Sequence, residues 1–443
     1  MKMENLAVNT IKKKISIEHE KEGTYFTLPF SMPVDTESMT LTYQYASHTE
    51  KEKTIEAGSF VTKLQTSIID LGLIAPDGRQ VGASGSNKTE IYISENYATP
   101  GYKACALVPG EWQIIIGAYK IAAEGVEVTY TISFSKKYRR LFKGDLHIHT
   151  RASDGIFTVK ELMERAQKLG LDFIAITDHN QMVSTDELPK IRGFSVIQGV
   201  EYTHFLGHSN FLGVDKPYDV PFVANTFDEV NARFHSAREH GALIVINHPF
   251  QEPCEFKFDM NELPFHCMEV WNGPMRESNL KAIGLWQKLL TEGKRIPISG
   301  GSDFHRDDVP FTFMGGPTTG VYAMSNSSQD ILTALREGHA FISYAPKGPT
   351  IQITAGDAMM GDQVEWTKEK ELQIDAANLA KGDILQIITA TEKKTLLEAE
   401  CDGSCHVSYS MQAPGFARIE IARVLIAALP LLPVLISNPI YFV

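Results

Sequence analysis

Cysteine and positive charge are both scarce in this 443-residue sequence. The five cysteines are odd in number and scattered, so no disulfide scaffold is indicated, and Cys401 and Cys405 are predicted to be a reduced pair in a hairpin loop. The formal net charge of -12 argues against a broad nucleic-acid-binding surface. No G-x-S-x-G elbow stands beside a His/Asp pair and no cysteine lies in a nucleophile motif, which argues against a serine or cysteine nucleophile.

Long uninterrupted apolar segments are missing as well. The N-terminus has no apolar signal-peptide core, which predicts a cytoplasmic protein. Residues from Val424 to Ile436 are nearly all aliphatic, and Pro430, Pro433 and Pro439 interrupt the uncharged segment that ends the chain. A membrane-spanning helix needs about 20 apolar residues. We therefore expect two short buried strands around a proline-bounded turn at this end of the chain, rather than a membrane anchor.

Both ends of the chain have the patterns of β-strands. Within residues 1–136, apolar residues from Val126 to Phe134 alternate with polar ones, and turn signals such as Pro109-Gly110 separate further strands. Residues 347–443 show β-patterns again, after a Pro/Gly linker at 345–349. Neither region gathers catalytic residue types. We predict an N-terminal and a small C-terminal β-sandwich domain without chemistry of their own.

Residues 137–346 alternate between strand and helix patterns. Thr158 and Glu161 form a capping box before a helical pattern that ends at Gly170, and other helical stretches lie near 225–240, 277–292 and 328–337. A strand followed by a helix, repeated about seven times, favours a (β/α) barrel, whose functional residues gather at the C-terminal ends of its strands. The predicted fold class is therefore a multidomain protein, α/β in the middle and all-β at both ends.

The candidate site begins in the first strand of this middle region. Because side chains alternate along a strand, His147 and His149 point to one face, and Asp154 follows shortly after. Two histidines and a carboxylate are a metal-ligand arrangement, although an H-x-H motif is weak evidence by itself. Its weight comes from the metal-capable residues at the ends of the other predicted strands, which are Asp178-His179, Glu201, His208, His248 and Asp303-x-His305.

Taken in order, this series of motifs resembles the PHP family, named for polymerase and histidinol phosphatase. The resemblance covers roughly residues 143–345. It implies a distorted (β/α)7 barrel that binds two or three divalent metal ions, usually zinc, manganese or iron. The stretches 268–273, 301–305 and 437–441 further resemble the carbaryl-hydrolase-like branch of the family.

The resemblance also divides the ligands among three metals. The sets for the first, second and third metal are His147, His149, Glu201 and Asp303; Glu201 as a bridge, with His208 and His248; and Asp154, His179 and His305. The family often has histidine where Asp154 stands, so the occupancy and identity of the third metal stay open. His204 is predicted to be structural, and His235, His240 and His266 are predicted not to be ligands.

The chemistry follows from the ligand types. Mixed His/carboxylate ligation suits borderline or hard divalent ions, and two such ions about 3.5–4 Å apart can share a nucleophilic hydroxide. This arrangement is best suited to hydrolysis of a phosphate mono- or diester, where the metals offset charge on the equatorial oxygens. Asp303 and His305 are predicted to be catalytic, with Arg151 and Arg306 holding phosphate oxygens.

Other interpretations stay open for individual residues and for the whole chain. The two arginines, and Arg276 as a third candidate, could instead brace loops, and Asp178 and Asn180 could orient a ligand through hydrogen bonds. The same hydroxide could attack a carboxyl ester or carbamate. Exonuclease action is disfavoured by the acidic charge, and an inactive scaffold would not need so many converging charges. We expect a small phosphorylated or ester substrate and no membrane partner; the oligomeric state is not indicated.

Overall fold

The computed structural model of the protein describes residues 9–55, 58–184, 187–308, 311–425 and 430–443. These residues form two compact units. The first contains the chain up to residue 138 together with 190–193, and the second contains 139–189 together with 194–443. The strands of the first unit are β1 (Asn9–Ile17), β2 (Thr24–Met32), β3 (Thr36–Tyr45), β4 (His48–Ile55), β5 (Gly58–Gln65), β6 (Ile68–Ile74), β7 (Gln80–Ser84), β8 (Glu90–Ser94), β9 (Gly110–Lys120) and β10 (Val126–Lys136).

The first unit consists of two four-stranded antiparallel sheets and the hairpin β4–β5. One sheet has the order β1-β10-β3-β8 and the other β2-β9-β6-β7. The alternation predicted for residues 126–134 is present in β10, whose apolar side chains are buried while the polar ones between them are not. Trp112 and Ile114 of β9 enter the same hydrophobic core, so the two sheets bury their apolar faces together.

The second unit begins with alternating strands and helices. Its first elements are β11 (Arg140–Ile148), α1 (Val159–Leu169), β12 (Phe173–Ile176), β13 (Ser195–His204), β14 (Gly207–Leu212), α2 (Phe227–Glu239), β15 (Leu243–Ile246), β16 (Cys267–Asn272), α3 (Glu277–Thr291), β17 (Ile298–Gly301), β18 (Thr318–Ala323), α4 (Ser328–Arg336) and β19 (Ala340–Ser343). The capping box predicted at Thr158 and Glu161 is formed, and Gly170 ends α1 in the left-handed conformation. All four predicted helical stretches are helices.

About seven strand–helix repeats were expected, but the described residues contain four α-helices. The strands run in the order β17-β16-β15-β14-β13-β12-β11-β18-β19. The pairs β11–β12, β12–β13, β15–β16 and β16–β17 are parallel, whereas β14 pairs with both neighbours in the antiparallel direction. β13 and β14 form a hairpin, and an antiparallel hairpin needs no crossover helix. The repeat pattern therefore overestimated the number of helices.

The residues that follow β17 run beside β11. The Asp303 amide donates to the His147 carbonyl oxygen at 2.9 Å, and the His149 amide donates to the Phe304 carbonyl oxygen at 3.0 Å. Gly301 makes this approach feasible, because a Cβ atom there would lie 2.3 Å from the His147 Cβ. The first and last strands of the series β11–β17 are thus joined at the level of the His147 motif.

The C-terminal strands extend the same unit. They are β20 (Thr350–Ala355), β21 (Ala358–Met359), β22 (Gln363–Val364), β23 (Glu371–Leu379), β24 (Ile384–Ile388), β25 (Lys393–Glu398), β26 (Gly403–Ser410), β27 (Gly415–Arg423), β28 (Leu432–Ser437) and β29 (Ile440–Phe442). β28 lies between β19 and β27, so the sheet continues from the α/β region into β27, β24 and β25. The separation of residues 347–443 as a domain of their own stays a prediction.

The end of the chain contains the two short buried strands that were expected. β28 and β29 are separated by Asn438-Pro439, and Val434, Leu435 and Ile436 are buried. Part of the aliphatic segment, residues 426–429, lies outside the described residues. In the part of the chain that the structure describes, the longest helix, α3, has 15 residues, and none has the length and apolar character needed to cross a membrane. All five cysteines are free.

Candidate metal centre

The strands of the second unit bring the predicted ligands to one edge of the sheet. His147 lies in β11, while His248 and Asp303 each follow the end of their strand by two residues. Glu201 does not end its strand as expected, because β13 continues to His204. The chain then turns back and forms β14, in which His208 lies opposite Thr203. The ligands converge because the carboxyl ends of parallel strands lie at the same edge.

Histidine and carboxylate side chains form four overlapping groups at this edge. Within each group the ligating atoms lie within 4.8 Å of one another. The groups are His149, Asp154, His179 and His305; His147, His149 and Glu201; His147, His248 and Asp303; and His179, Glu201 and His208. Within the described residues, these groups contain all nine predicted ligands and no other residue. The geometry thus assembles the nine, and their assignment as metal ligands stays a prediction.

The Glu201 carboxylate lies at the centre of the site and is fully buried. Its two oxygens face five imidazoles. Around Oε1 lie His208 Nδ1 at 3.2 Å, His248 Nε2 at 3.3 Å and His147 Nε2 at 3.3 Å, and around Oε2 lie His179 Nδ1 at 2.8 Å and His149 Nε2 at 3.5 Å. A carboxylate placed between two sets of histidines has the geometry that a bridging ligand requires.

Asp303 and Asp154 lie on opposite sides of His149. Asp303 Oδ1 is 3.1 Å from His149 Nε2, and Asp154 Oδ1 is 3.8 Å from His149 Nδ1. His305 Nδ1 contacts the Asp303 carbonyl oxygen at 2.8 Å, and because a carbonyl only accepts, Nδ1 carries a proton. His305 Nε2 is then directed at Asp154 Oδ1, 3.2 Å away. The Asp154 side chain is 53% exposed. The group that contains it (His149, Asp154, His179 and His305, the outer group) therefore opens to solvent, whereas the other three groups (the inner groups) are enclosed.

Three site residues have an uncommon backbone conformation. Asn180, His248 and Asp303 have φ values of 49°, 25° and 53°, in the left-handed region that residues other than glycine seldom adopt. Each is held by a backbone hydrogen bond, from the Asn180 amide to the Glu201 carbonyl oxygen, from the His248 amide to Glu269, and from the Asp303 amide to His147. Strained backbone of this kind concentrates at functional sites.

Asp178 and Asn180 orient the segments that carry His149 and His179. The Asp178 carboxylate accepts hydrogen bonds from the Thr150 amide and hydroxyl, both at 2.8 Å, and from the Ser153 hydroxyl at 2.6 Å. Asn180 exchanges two hydrogen bonds with the Thr203 backbone, at 2.8 and 2.9 Å. Both residues therefore fix loops rather than contact a ligand ring directly.

Burial and mutual contact shift the pKa values of the inner groups. Burial lowers the pKa of His147, but the Asp303, Glu201 and Glu269 carboxylates outweigh burial and raise it well above its ordinary value. Burial raises the pKa of Glu201, but His147, His179 and His208 outweigh it and hold that pKa well below its ordinary range. For His149, burial prevails and its pKa is lowered. The carboxylates are thus held ionised in a site that excludes water.

These side chains fit divalent cations. Several buried atoms have no hydrogen-bond partner among the described residues, namely His147 Nε2, both ring nitrogens of His149, and Glu201 Oε2. In the same part of the chain, no lysine or arginine forms an ion pair with Glu201 or Asp303. Buried charges are normally paired or bound to metals. Nitrogen and oxygen atoms that converge without partners are the donor set that such a metal requires.

The three candidate arginines do not form ion pairs with the predicted ligands. Arg306 donates to the main-chain oxygen of Asp154 at 3.2 Å. Arg276 donates to Asn272 Oδ1 at 3.0 Å and to Gln251, which is a loop-bracing role. Arg151 and Lys160 line a cavity of about 360 Å³. The predicted contacts of Arg151 and Arg306 with phosphate stay predictions.

Glu269 and Asn247 belong to the site but were not among its predicted residues. Glu269 Oε1 is 3.0 Å from His147 Nδ1, and Asn247 donates to Glu201 Oε1 at 2.8 Å. The sequence contained a signal for Glu269, because a carboxylate within a strand of buried apolar residues must have a partner. It contained none for Asn247, whose amide differs in no visible way from that of a loop asparagine.

Of the four histidines that were predicted not to be ligands, three have partners elsewhere. Both ring nitrogens of His204 bond to backbone, Nε2 to the Ala224 carbonyl oxygen and Nδ1 to the Leu206 amide. His266 Nδ1 accepts from the Ile244 amide, and His240 Nδ1 bonds to the Ser236 carbonyl oxygen. His235 is exposed on α2. None of the four joins a metal-capable group in the described residues.

Comparison with known proteins agrees with this site. Residues 145–246 match the PHP domain. The matched span contains six of the nine predicted ligands, from His147 to His208, and ends two residues before His248.

Two individual proteins are similar to parts of this chain. The chain is 28% identical over 165 residues to an uncharacterized protein of Methanocaldococcus jannaschii, a match that covers 34% of this chain and 92% of that protein. A 63-residue stretch is 43% identical to the DNA polymerase/3'-5' exonuclease PolX of Bacillus subtilis and covers 14% of this chain but only 11% of that enzyme.

Among solved structures, a two-domain protein of Bacteroides vulgatus, described as containing a predicted PHP-like metal-dependent phosphoesterase, is 20% identical. Its TM-score is 0.41, and the match covers 68% of this chain and 95% of that one.

Proposed function

We propose that this protein is a metal-dependent phosphoesterase that hydrolyses a phosphate mono- or diester. The observation that carries the proposal is the set of nine converging histidine and carboxylate side chains, several of whose buried atoms lack hydrogen-bond partners within the described chain. The match of residues 145–246 to the PHP domain supports it. Two or three divalent ions, of zinc, manganese or iron, would be held by these side chains.

When bound, such ions lower the pKa of water and offset the charge of phosphate oxygens. The protein's own groups complete the reaction in our proposal. Asp303, 18% exposed and turned toward His147 and His149, accepts the proton of the attacking water at Oδ1. His305, whose Nδ1 proton is held by a carbonyl oxygen, directs its Nε2 lone pair toward Asp154, where the two residues would hold the ion that offsets the charge of the leaving oxygen. Arg151 and Arg306 border the open side and bind the outer phosphate oxygens.

We also infer that β11–β17 form the distorted seven-stranded barrel implied by the family resemblance. The hydrogen bonds that join the residues after β17 to β11 support this inference. Burial of the inner ligands supports it too, because a closed ring of strands excludes water from the groups at its end. The flanking β-rich regions would then be the predicted sandwiches, and a cytoplasmic location stays a prediction.

The test is metal content and ester turnover of the purified protein. We expect two or three metal ions per chain and turnover of p-nitrophenyl phosphate or bis-p-nitrophenyl phosphate that chelation abolishes and manganese or zinc restores. Turnover of p-nitrophenyl acetate or a carbamate alone would replace the proposal with the carbaryl-hydrolase-like reaction. Release of nucleotides from oligonucleotide ends, without turnover of small esters, would indicate an exonuclease. Metal-free protein that no divalent ion activates would contradict the proposal.

A further inference from the structure

Glu269 is a buried carboxylate outside the nine predicted ligands. It lies in the middle of β16, a strand whose six residues are all buried, and its side chain is 2% exposed. No lysine or arginine in the described chain forms an ion pair with it. A buried carboxylate costs several kcal/mol unless other groups satisfy it, so its contacts indicate what it does.

Glu269 contacts two of the predicted ligands, His147 and His248. Glu269 Oε1 is 3.0 Å from His147 Nδ1, and Oε2 accepts the His248 amide at 2.9 Å. The side-chain amide of Asn272, three residues further along β16, donates to the same Oε2 at 3.2 Å. Both oxygens are thus used, one by an imidazole and the other by two amides.

The contact with His147 determines which ring nitrogen faces the site. A carboxylate only accepts, so the proton of the neutral imidazole must be on Nδ1. The lone pair of His147 is then on Nε2, which lies 3.3 Å from Glu201 and 3.4 Å from Asp303 and has no hydrogen-bond partner in the described chain. Only this tautomer can bind a cation at the centre of the site.

The contact with His248 fixes a strained backbone. His248 has a φ of 25°, and its amide is held by Glu269 while its Nε2 faces Glu201 at 3.3 Å. Asn272 also donates to Asp303 Oδ2 at 3.4 Å, so the same hydrogen-bonded set reaches a third predicted ligand. Glu269 is therefore connected to every member of the group His147, His248 and Asp303.

We propose that Glu269 is the positioning residue of this metal centre. It holds His147 in the tautomer that presents Nε2, and it holds the His248 backbone in the conformation that aims the imidazole at Glu201. This inference rests on the proposed metal-dependent function, but it is tested by metal affinity, which requires no substrate.

The experiment compares Glu269→Gln with Glu420→Gln in the full chain. Glu420 is a matched control, because it is also a buried strand glutamate of the second unit, 4% exposed, and it pairs with Arg418 and Lys393 away from the site. Zinc and manganese dissociation constants are measured by chelator competition, and the visible spectrum of the cobalt-substituted protein reports the ligand geometry. Mutating a residue that hydrogen-bonds to a metal ligand typically lowers metal affinity by about 10–100-fold.

We expect Glu269→Gln to weaken metal affinity by about 10–100-fold and to change the cobalt spectrum, because an amide can donate to His147 Nδ1 and shift the ring proton to Nε2. Glu420→Gln should leave both unchanged. If Glu269→Gln does not fold, Glu269→Asp is measured instead, with the same weakening expected since the shorter side chain cannot span both contacts.

Wild-type affinity and spectrum in the folded Glu269 variant would overturn the positioning role. Equal weakening in both glutamine variants would also overturn it, because the effect would then be general destabilisation. Wild-type protein that binds metal but hydrolyses no phosphate ester would contradict the proposed function and leave the role of Glu269 standing.

Discussion

Two buried carboxylates in the second unit are stabilised in different ways. Glu420, in β27, is 4% exposed and lies 2.7 Å from Arg418 and 3.1 Å from Lys393. Burial raises the pKa of Glu420, but these cations outweigh it and the net pKa is lowered. Glu201, in β13, is surrounded by imidazoles, and one of its oxygens has no hydrogen-bond partner in the described chain. Lysine and arginine pair with Glu420, whereas no lysine or arginine in the described chain pairs with Glu201.

The difference shows how a structural ion pair and a binding site can be told apart. A buried ion pair that the chain completes by itself needs nothing further, whereas a buried carboxylate among unpartnered imidazoles needs a cation from outside. The same test separates Asp383, which Arg423 holds at 2.6 Å, from Asp303, whose neighbours are histidines and the side-chain amide of Asn272. Burial alone does not identify a functional carboxylate; the absence of a lysine or arginine partner among the described residues does.

The largest effect expected is that of Glu201→Gln. Removing the charge that five imidazoles surround should release metal from the inner groups and lower kcat/KM by on the order of a thousandfold, about 4 kcal/mol. Metal analysis, p-nitrophenyl phosphate turnover and circular dichroism measure metal content, activity and folding. If the Glu201→Gln protein folds and keeps its wild-type metal content, Glu201 is not a metal ligand, and its role does not differ in kind from that of Glu420.

Glu420→Gln should lower the stability of the protein without changing its activity. It leaves the buried Arg418 guanidinium without its carboxylate, which we expect to lower the free energy of unfolding by about 3 kcal/mol. Urea unfolding measures this change, and kcat/KM per bound metal should stay at the wild-type value. Loss of metal binding in this variant would mean that the two regions are coupled.

A half-buried histidine that bonds to the backbone, His266, extends the comparison to the pH dependence of stability. Burial lowers the pKa of His266 to about 4, and its Nδ1 accepts the Ile244 amide. An unfolded histidine has a pKa of about 6.5, so the unfolded state binds the proton first, and stability falls as pH decreases from about 6.5 toward 4.

The measurement is urea unfolding of wild type and His266→Gln at several pH values between 7 and 4.5. Part of the wild-type loss of stability in this range should be absent from the variant, because glutamine does not titrate. Identical pH dependence in the two proteins would show that His266 is not a source of it.

The smallest effect expected is that of Arg151→Gln. Arg151 is exposed and lines a cavity. If it binds substrate as proposed, its loss should raise KM for a phosphate ester several-fold, on the order of 1 kcal/mol, since exposed charge interactions are weak. Lys281→Gln, which removes an exposed i,i+4 pair on α3, is the control. An unchanged KM would assign Arg151 a loop-bracing role.

Much of the fold could be predicted because its signals are local. The capping box at Thr158, the alternation in β10 and the proline-interrupted end of the chain each depend on residues within one element. Where the prediction failed, the cause was a long-range pairing. The hairpin of β13 and β14 replaced an expected crossover helix, and β28 entered the sheet of the α/β region between β19 and β27.

The sequence by itself determined which residues could form the centre, because metal ligands must be of a few chemical types and His147-x-His149 and Asp303-x-His305 place them with strand periodicity. Only the tertiary structure decided how these residues are held. Glu269 meets His147 across 122 positions of sequence, and a one-dimensional pattern does not specify which distant side chain will accept a particular proton. Ligand identity is a property of residue type and spacing, whereas ligand orientation is a property of packing.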